Sequence, residues 1–385
     1  MHKGDAALIR GVLVAVLAMV CMPAFALADT LFVSGFQNAP LARGGSNFLW
    51  FDVDRVPPHA ADPAQACIDA RDPYGVLANY HRAGVRTTVR GQLQAMRAAG
   101  QQRIATGIVH LRAPSGQAFE GSYGGTLIDS TGGALHPRIR DNLVQLLGDI
   151  RDAGFAELLF RYFPQGANTP IWWSSFDESL FEENWQLIRS VEPLLQASGI
   201  AYRTDLMVEG MPRARYWSAL GQYYIDDESP DNSAWSEYAR RLWRNYVAQF
   251  GHERSIGFSF VSDSHPVRTK ARVRHIRYVY KLADGSMRYP SLFAVDIYGG
   301  SGTSEGTIFE RHHYAMGDLG RHEPWIVAES YYNDAAAADD LLAAMDATGR
   351  RVQYFLQWPL DRSIDDWGVN VAPPADYRAW LRRGF

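Results

Sequence analysis

Cysteine is scarce in this chain of 385 residues, which contains only Cys21 and Cys67. Cys21 lies in an apolar N-terminal stretch that we expect to be removed, so a single thiol would remain. One cysteine cannot form an internal disulfide, and this excludes the cysteine-rich scaffolds of small secreted proteins. The protein must therefore depend on a hydrophobic core, and a hydrophobic content of 47% is sufficient for a sizeable one.

The sequence also lacks an excess of charge of one sign. Its formal net charge is -4 at pH 7, and no dense tract of Lys and Arg occurs. Proteins that bind nucleic acid carry such tracts, because the phosphate backbone attracts clustered cations. We therefore expect no nucleic-acid partner.

Signals for a cofactor or a metal are missing as well. No Gly-rich dinucleotide fingerprint follows the first predicted strand, and His110 is the one histidine at a predicted strand end. A metal-dependent hydrolase would need several histidines there. The acidic run 226–228 is interpreted as a solvated loop rather than a calcium site, since acidic loops are more often solvated than metal-binding. The sequence thus predicts neither a cofactor nor a metal.

The sequence contains one long apolar run, from Gly11 to about Phe25, and this run is short for a membrane span. Basic residues precede it, and Ala26-Leu27-Ala28 follows it. This order is typical of a secretory signal peptide. We expect residues 1–28 to be this signal, the mature protein to begin near Asp29 without a membrane anchor, and its location to be periplasmic or secreted.

From residue 29 to residue 385 short apolar runs alternate with longer amphipathic segments in about eight pairs. Such alternation is typical of parallel βαβ units, and eight of them predict an α/β fold with a single-domain (β/α)8, or TIM, barrel. An open doubly wound sheet is the rival, disfavoured by the missing fingerprint. The predicted strands are Leu31 to Phe36 or Phe48 to Val53, Arg103 to Leu111, Ala156 to Tyr162, Ala201 to Glu209, Ser255 to Val261, Ser291 to Asp296, Trp325 to Glu329, and Val352 to Trp358.

Polar residues end most of these strands, and the carboxyl ends of all strands in such a barrel meet at one mouth. Glu329 ends an apolar run, where a carboxylate must face a polar cleft or be paired because burying it bare costs several kcal/mol. Asp205 would lie deeper than Glu209 on the same strand face and pair with Arg203 or Arg161. The strand-end candidates are His110, Arg161, Glu209, Asp263, Asp296, Glu329 and Trp358.

In these features the chain resembles the retaining glycoside hydrolases of clan A, which are (β/α)8 barrels. That clan carries an acid/base Glu at the end of strand four and a nucleophile Glu at the end of strand seven. The resemblance implies these catalytic roles for Glu209 and Glu329, and a sugar-stacking role for Trp358 at the end of strand eight. Val208 stands where the clan usually has Asn, so Asp263 on strand five remains an alternative acid/base.

Aromatic residues are abundant, with 11 Trp and 19 Tyr, and many fall in predicted loops, as expected of a surface that stacks on sugar rings. We therefore expect an exported glycoside hydrolase that acts on a polysaccharide or oligosaccharide through two carboxylates. The alternatives are a non-catalytic polysaccharide-binding barrel and a transglycosylase with the same residues. The predicted substrate-binding residues are Arg161, Trp172, Trp173, Asp263, Tyr298, Tyr331 and Trp358.

Overall fold

The computed structural model describes residues 41–52, 74–113, 122–123, 125–263, 265–300, 302–321, 323–360, 362 and 375–385. The expected signal peptide, Cys67 and the first of the two candidate first strands lie outside these residues.

Eight parallel strands form the barrel. Neighbouring strands are hydrogen-bonded in the order five, four, three, two, one, eight, seven, six, and a parallel bridge from Phe260, just after strand five, to Val295 on strand six nearly closes the ring. The predicted single (β/α)8 barrel is confirmed. Its strands are β1 (Gly45–Asn47), β2 (Arg103–Leu111), β3 (Glu157–Pro164), β4 (Tyr202–Asp205), β5 (Ser255–Gly257), β6 (Phe293–Asp296), β7 (Trp325–Glu329) and β8 (Val352–Gln357).

Helices follow the strands and pack their apolar sides on the barrel. They include α1 (Val85–Ala98), α2 (Pro137–Asp152), α3 (Glu178–Ala197), α4 (Ser233–Phe250), α5 (Pro266–Arg274), α6 (Glu305–Gly317), α7 (Ala335–Thr348) and α8 (Arg378–Leu381). Single helical turns occur at Val76–Asn79, Thr131–Gly133, Gly166–Asn168, Pro170–Trp172 and Ile276–Val279. Four of the helices begin with an Asp, Asn or Ser side chain that accepts a backbone N–H of the first turn, which satisfies a donor that the helix cannot.

Two predicted strands are shifted in the structure. β1 lies before the predicted run Phe48 to Val53, and Trp50–Asp52 pairs antiparallel with Tyr74–Gly75 instead. β4 ends at Asp205, because the Gly210 N–H donates to the Met207 carbonyl at 3.0 Å and turns the chain. Glu209 therefore lies in a turn beyond the strand rather than on it.

A β-hairpin occupies the segment that was predicted as an acidic, aromatic loop. Ala214–Ala219 pairs antiparallel with Gln222–Pro230. Leu220 and Gly221 form the turn with φ of +54° and +75°, and a two-residue turn of this hand suits the twist of paired strands. The hairpin follows β4 and precedes α4.

The core has two parts. The larger part fills the space between strands and helices, where residues such as Leu143, Ile188 and Leu242 are fully buried. A smaller cluster fills the barrel interior with Ala105, Leu159, Ile256, Leu292, Ala294, Ile326, Ala328, Tyr354 and Leu356. None of the helices in the described part of the chain is long and apolar enough to cross a membrane.

Candidate active site

One arginine occupies the layer of the barrel interior next to the mouth. Arg161 lies two residues after Leu159 on β3, so the alternation of side chains points it to the same inner face. Its side chain has no exposed surface. A guanidinium in this position must find acceptors for its N–H groups, since an unpaired buried cation is very unfavourable.

Four strands supply those acceptors. Arg161 Nε donates to Asp205 Oδ2 at 3.1 Å, and Nη2 donates to Asp296 Oδ2 at 3.1 Å. Nη1 donates to Asn47 Oδ1 at 3.1 Å and to Glu329 Oε1. The pairing of Asp205 with Arg161, one of the two partners expected from the sequence, is therefore observed. Arg161 fastens β1, β4, β6 and β7 together at the mouth.

One guanidinium faces three carboxylates here, and the pKa values reflect it. Burial alone would lower the pKa of Arg161, but the charges of Glu329, Asp296 and Asp205 outweigh that effect and raise it. Burial raises the pKa of Asp205 to about 6, against the opposing influence of Arg161. Burial and the charge of Glu329 raise the pKa of Asp296 well above its usual range, which favours its neutral form.

Glu329 ends β7 with both carboxylate oxygens hydrogen-bonded. Oε1 accepts from Arg161, and Oε2 accepts from the hydroxyl of Tyr298 at 2.8 Å. Burial and the negative charge of Glu329 raise the pKa of Tyr298 well above its usual range, so that this hydroxyl keeps its proton. Glu329 is 6% exposed and is held rigidly at the edge of the cleft. A carboxylate that is held by two hydrogen bonds at the cleft can attack an electrophilic carbon or stabilise a cation there.

Glu209 reaches the same mouth from the turn after β4. Its φ of +51° is uncommon for a residue with a side chain, and its N–H donates to Ser259 Oγ at 2.8 Å, which holds that conformation. The side chain is partly exposed. Enclosure in the cleft and then the charge of Glu329 raise the pKa of Glu209 to about 7, although Arg272 lowers it in part. Glu209 can therefore hold a proton near neutral pH.

The two glutamates thus differ in environment while sharing one mouth. Glu329 forms an ion pair and two hydrogen bonds, whereas Glu209 has no cation in direct contact among the described residues and a raised pKa. When the surroundings of two carboxyl groups favour the protonated form of one and the charged form of the other, the two can serve as an acid and a nucleophile in one reaction.

Asp263 also lies near the mouth, but it is engaged elsewhere. Its Oδ1 accepts the N–H of His265 at 3.2 Å, next to the start of α5. Its Oδ2 lies 3.9 Å from both Arg213 and Arg272. These contacts tie Asp263 to the β5–α5 connection.

Two aromatic residues, Tyr331 and Trp358, follow the carboxyl ends of β7 and β8. Trp358 is partly exposed and packs edge-on against Trp50, with ring centroids 5.4 Å apart. Tyr331 packs edge-on against Tyr298 at 5.1 Å and donates its hydroxyl to the Gly299 carbonyl at 2.7 Å. Trp358 and Tyr331 therefore lie where a ligand in the mouth could contact them.

The tryptophan pair after β3 separates into two environments. Trp172 is 72% exposed. Trp173 packs edge-on against Tyr238 at 5.5 Å and donates its indole N–H to the Ala167 carbonyl at 2.7 Å. Trp172 remains a candidate for stacking, whereas Trp173 mainly supports its own loop.

Arg161 requires a correction. We expected it to contact the substrate, but a side chain without exposed surface cannot do so. It binds the carboxylate of Glu329 instead. Two residues of the site, Asn47 and Ser259, were not predicted from the sequence. Asn47 accepts from Arg161 and donates to the Ala328 carbonyl at 2.8 Å, and Ser259 accepts the N–H of Glu209. Asn47 ends β1, so a correct placement of that short, Gly-rich strand would have identified it.

Within the described ranges no group of three His, Cys, Asp or Glu side chains is arranged to hold an ion. His110 contacts Ser130 Oγ at 3.0 Å, and burial lowers its pKa to about 3, so it stays neutral. Asp227 of the acidic run lies in ion pairs with Arg274 and Arg277.

No known protein family matches the sequence, and no curated protein matches it either. Solved structures are similar in fold only. A GH5 xyloglucan-specific endo-beta-1,4-glucanase from a metagenomic library, solved with cellotriose, is 10% identical over 91% of this chain and 96% of its own, with a TM-score of 0.46.

Other structures show a similar degree of likeness. The beta-mannanase of Thermomonospora fusca, solved with mannotriose, is 12% identical over 75% of this chain and 79% of its own, with a TM-score of 0.43. The homocysteine methyltransferase MmuM from Escherichia coli is 11% identical over 91% of this chain and 98% of its own, with a TM-score of 0.46.

Proposed function

We propose that this protein is an exported glycoside hydrolase that cleaves a polysaccharide or oligosaccharide with retention of anomeric configuration. The observation that carries the proposal is the pair of glutamates at one barrel mouth. Arg161 and Tyr298 hold the carboxylate of Glu329, while enclosure in the cleft and the charge of Glu329 raise the pKa of Glu209 to about 7.

The first half of the reaction uses both groups at once. Glu209 gives its proton to the glycosidic oxygen as the bond to the anomeric carbon breaks, and a carboxylate oxygen of Glu329 bonds to that carbon. The leaving sugar departs as an alcohol, and the enzyme carries a glycosyl ester. Tyr298 and Arg161 keep the attacking carboxylate oriented, which avoids the reorganisation that a mobile group would require.

The second half reverses the roles. Once the charge of Glu329 is consumed in the ester, the electrostatic contribution that raised the pKa of Glu209 is gone. Glu209 then accepts a proton from water as the water oxygen attacks the anomeric carbon, and Glu329 leaves as a carboxylate. Both carboxyl groups return to their starting states.

The contacts favour Glu209 over Asp263 as the acid/base. Asp263 lies 3.9 Å from both Arg213 and Arg272 and accepts the N–H of His265, so its carboxylate is engaged by neighbouring groups. Glu209 faces Glu329, and this like charge helps to raise the pKa of Glu209 to about 7. Trp358, Tyr331 and Trp172 are proposed to contact the sugar through their ring faces.

The test is a panel of soluble xyloglucan, mannan and β-1,4-glucan, read by released oligosaccharides and by NMR of the first anomer formed. We expect cleavage with a retained anomer and a separation of about 5–5.5 Å between the two carboxyl groups. An inverted product would refute the proposed mechanism. Binding without cleavage would instead indicate a binding barrel, and chain transfer a transglycosylase.

The pH dependence of the reaction should report the protonation of Glu209. Its proton is needed in the first step, and its raised pKa of about 7 means that the protonated fraction falls as the pH rises through 7. We expect kcat/KM to approach a plateau about one pH unit below 7 and to fall about ten-fold per pH unit well above 7. Initial rates from pH 5 to 9 at low substrate concentration measure this.

Glu209→Ala provides the control. On an aryl glycoside with an activated leaving group, the variant should lose the alkaline fall, because departure no longer needs an acid. Azide should accelerate its second step and yield a glycosyl azide, since a small anion enters the space of the missing carboxylate. Near-normal turnover in this variant, with loss in Asp263→Asn, would transfer the acid/base role to Asp263.

Export is a separate proposal and rests on the N-terminal pattern of basic residues, apolar run and Ala26-Leu27-Ala28. The mass of the protein recovered from the periplasm or medium should correspond to a chain that begins near Asp29. An intact N-terminus on exported protein would contradict this assignment.

A further inference from the structure

One face of the hairpin after β4 contacts α5, and the opposite face, which we call the free face, is partly exposed to solvent in the described part of the chain. On the docked face, Tyr223 is 52% exposed but packs edge-on against His265 with ring centroids 5.6 Å apart, and the Tyr216 hydroxyl accepts from Arg268 Nε at 3.3 Å. His265 caps α5 and Arg268 lies on it, so this face lies against that helix. Since side chains alternate along a strand, the residues between point the other way.

The free face carries two aromatic rings that stack on each other. Trp217 and Tyr224 are directly opposite each other in the hairpin register. Their ring centroids are 5.8 Å apart and their planes differ by 19°. The two residues are 48% and 42% exposed. We call this pair the hairpin platform. Exposed large aromatic side chains are unfavourable in water, so such a pair on a rigid hairpin suggests a ligand.

Polar groups of both kinds border the platform. Arg215 and Asp226 are paired in the register on the same face as Trp217 and Tyr224, one cation opposite one anion. Gln222 lies on that face as well and accepts a hydrogen bond from the Tyr224 hydroxyl at 3.4 Å. Around the rings the face therefore balances one cation with one anion and offers flat apolar rings beside hydrogen-bonding groups. A neutral sugar chain, with apolar C–H faces and hydroxyl edges, has the complementary pattern, whereas an anionic membrane would need an excess of cations.

The hairpin base is fixed beside the acid/base glutamate. Ala214, five residues after Glu209, pairs with Pro230, and Arg213 donates to Asp231 at 3.0 Å. Arg213 also lies 3.9 Å from Asp263 at the mouth. The platform is thus connected to the cleft through a short, anchored segment.

We propose that the hairpin platform is a remote binding site for the neutral polysaccharide chain whose glycosidic bond is cleaved at the mouth. The inference rests on the proposed function and extends it. Sugars away from the cleaved bond stack on Trp217 and Tyr224, so the enzyme binds a polymer more tightly than a short substrate. The site contributes binding energy and takes no part in bond cleavage.

The experiment uses Trp217→Ala/Tyr224→Ala and, as a control, Tyr314→Ala, which removes an aromatic residue that is 62% exposed on α6. Each is made in the full chain and in the Glu329→Gln background, where binding is measured without turnover. Retention in native gels that contain xyloglucan, galactomannan or hydroxyethylcellulose reports binding. Kinetics on the cleaved polymer and on a short aryl glycoside report catalysis.

We expect the double variant to bind the retained polymer about ten-fold more weakly, because two stacking contacts are lost. The ratio of kcat/KM on polymer to that on the aryl glycoside should fall by a similar factor, through KM. Tyr314→Ala should match the parent chain. Equal retention of double variant and parent overturns the inference, as does the absence of polymer binding by the parent.

Two further outcomes separate the alternatives. If the double variant no longer binds phosphatidylglycerol vesicles but is retained by the polymer as the parent is, the platform binds a membrane. If the double variant instead loses a dimer that the parent forms in sedimentation, the platform binds a second copy of the chain. Either result overturns the inference. Polymer retention that depends on the platform, with no cleavage by the parent chain, would leave the platform supported as a polymer-binding site and refute the proposed hydrolase.

Discussion

Replacing Glu329 by Gln should lower kcat on any cleaved glycan by at least about 10³-fold, because an amide cannot form the glycosyl ester. The fold should persist. The side chain lies at a strand end and contributes little to the core, and Arg161 keeps its contacts with Asp205 and Asp296. Single-turnover kinetics and circular dichroism measure the two effects.

Glu323 provides a matched control for the substitution of Glu329. Glu323 precedes β7 and forms an ion pair with Arg321. Glu323→Gln makes the same chemical change away from the mouth, and it should leave kcat within about two-fold of the parent, because a partly exposed ion pair contributes little. Comparable activity in the Glu329→Gln and Glu323→Gln proteins would refute the assignment of the nucleophile. Unfolding of Glu329→Gln would show that the carboxylate is structural.

Replacing Arg161 by Met should have the largest effect on stability. Removing one partner of a buried ion pair leaves uncompensated charge, which costs about 3–5 kcal/mol. Here a single substitution leaves the carboxyl groups of Asp205, Asp296 and Glu329 together in the barrel interior without the cation that contacts all three. Activity should fall as well, since Glu329 loses the cation that orients it. Urea unfolding followed by fluorescence measures the change in the free energy of unfolding.

Arg203→Met is the comparison, because Arg203 lies on β4 and pairs with Glu157 at 3.3 Å but is 24% exposed. It should cost about 1 kcal/mol. Adding Asp205→Asn to Arg161→Met should recover part of the lost stability, since the amide replaces a carboxylate whose pKa of about 6 leaves it mostly charged near neutral pH. If the double variant is no more stable than Arg161→Met, charge repulsion is not the cause. If Arg161→Met and Arg203→Met are equally stable, the buried ion pairs of Arg161 contribute no more to stability than the partly exposed pair of Arg203.

Much of the fold is present in local patterns. An apolar run between turn signals predicts a strand, and β2 was predicted with the bounds that the structure shows. The repetition of such runs with amphipathic segments was enough to predict eight βα units. The predicted strand bounds were wrong where the strand is too short to show a local pattern. β1 contains only Gly45–Asn47, and no three-residue run carries a detectable period.

The candidate site was predicted in part for the same reason. Glu329 was selected because a carboxylate at the end of an apolar run needs a polar surrounding, and Glu209 was selected from the strand count and the resemblance to clan A. The pairing of Asp205 with one of two arginines followed from strand alternation. These inferences use only the chain near each residue and the topology.

The amino-acid sequence by itself determined the order of strands and helices and the acids at their ends, because these depend on contacts within a few residues. Only the tertiary structure decided that Arg161 binds Glu329, 168 positions away, and is thereby withdrawn from solvent. It also decided that Trp217 and Tyr224 share the free face of a hairpin while the opposite face lies on α5. Such assignments depend on which distant side chains meet, and that is set by packing of the whole barrel rather than by any local pattern.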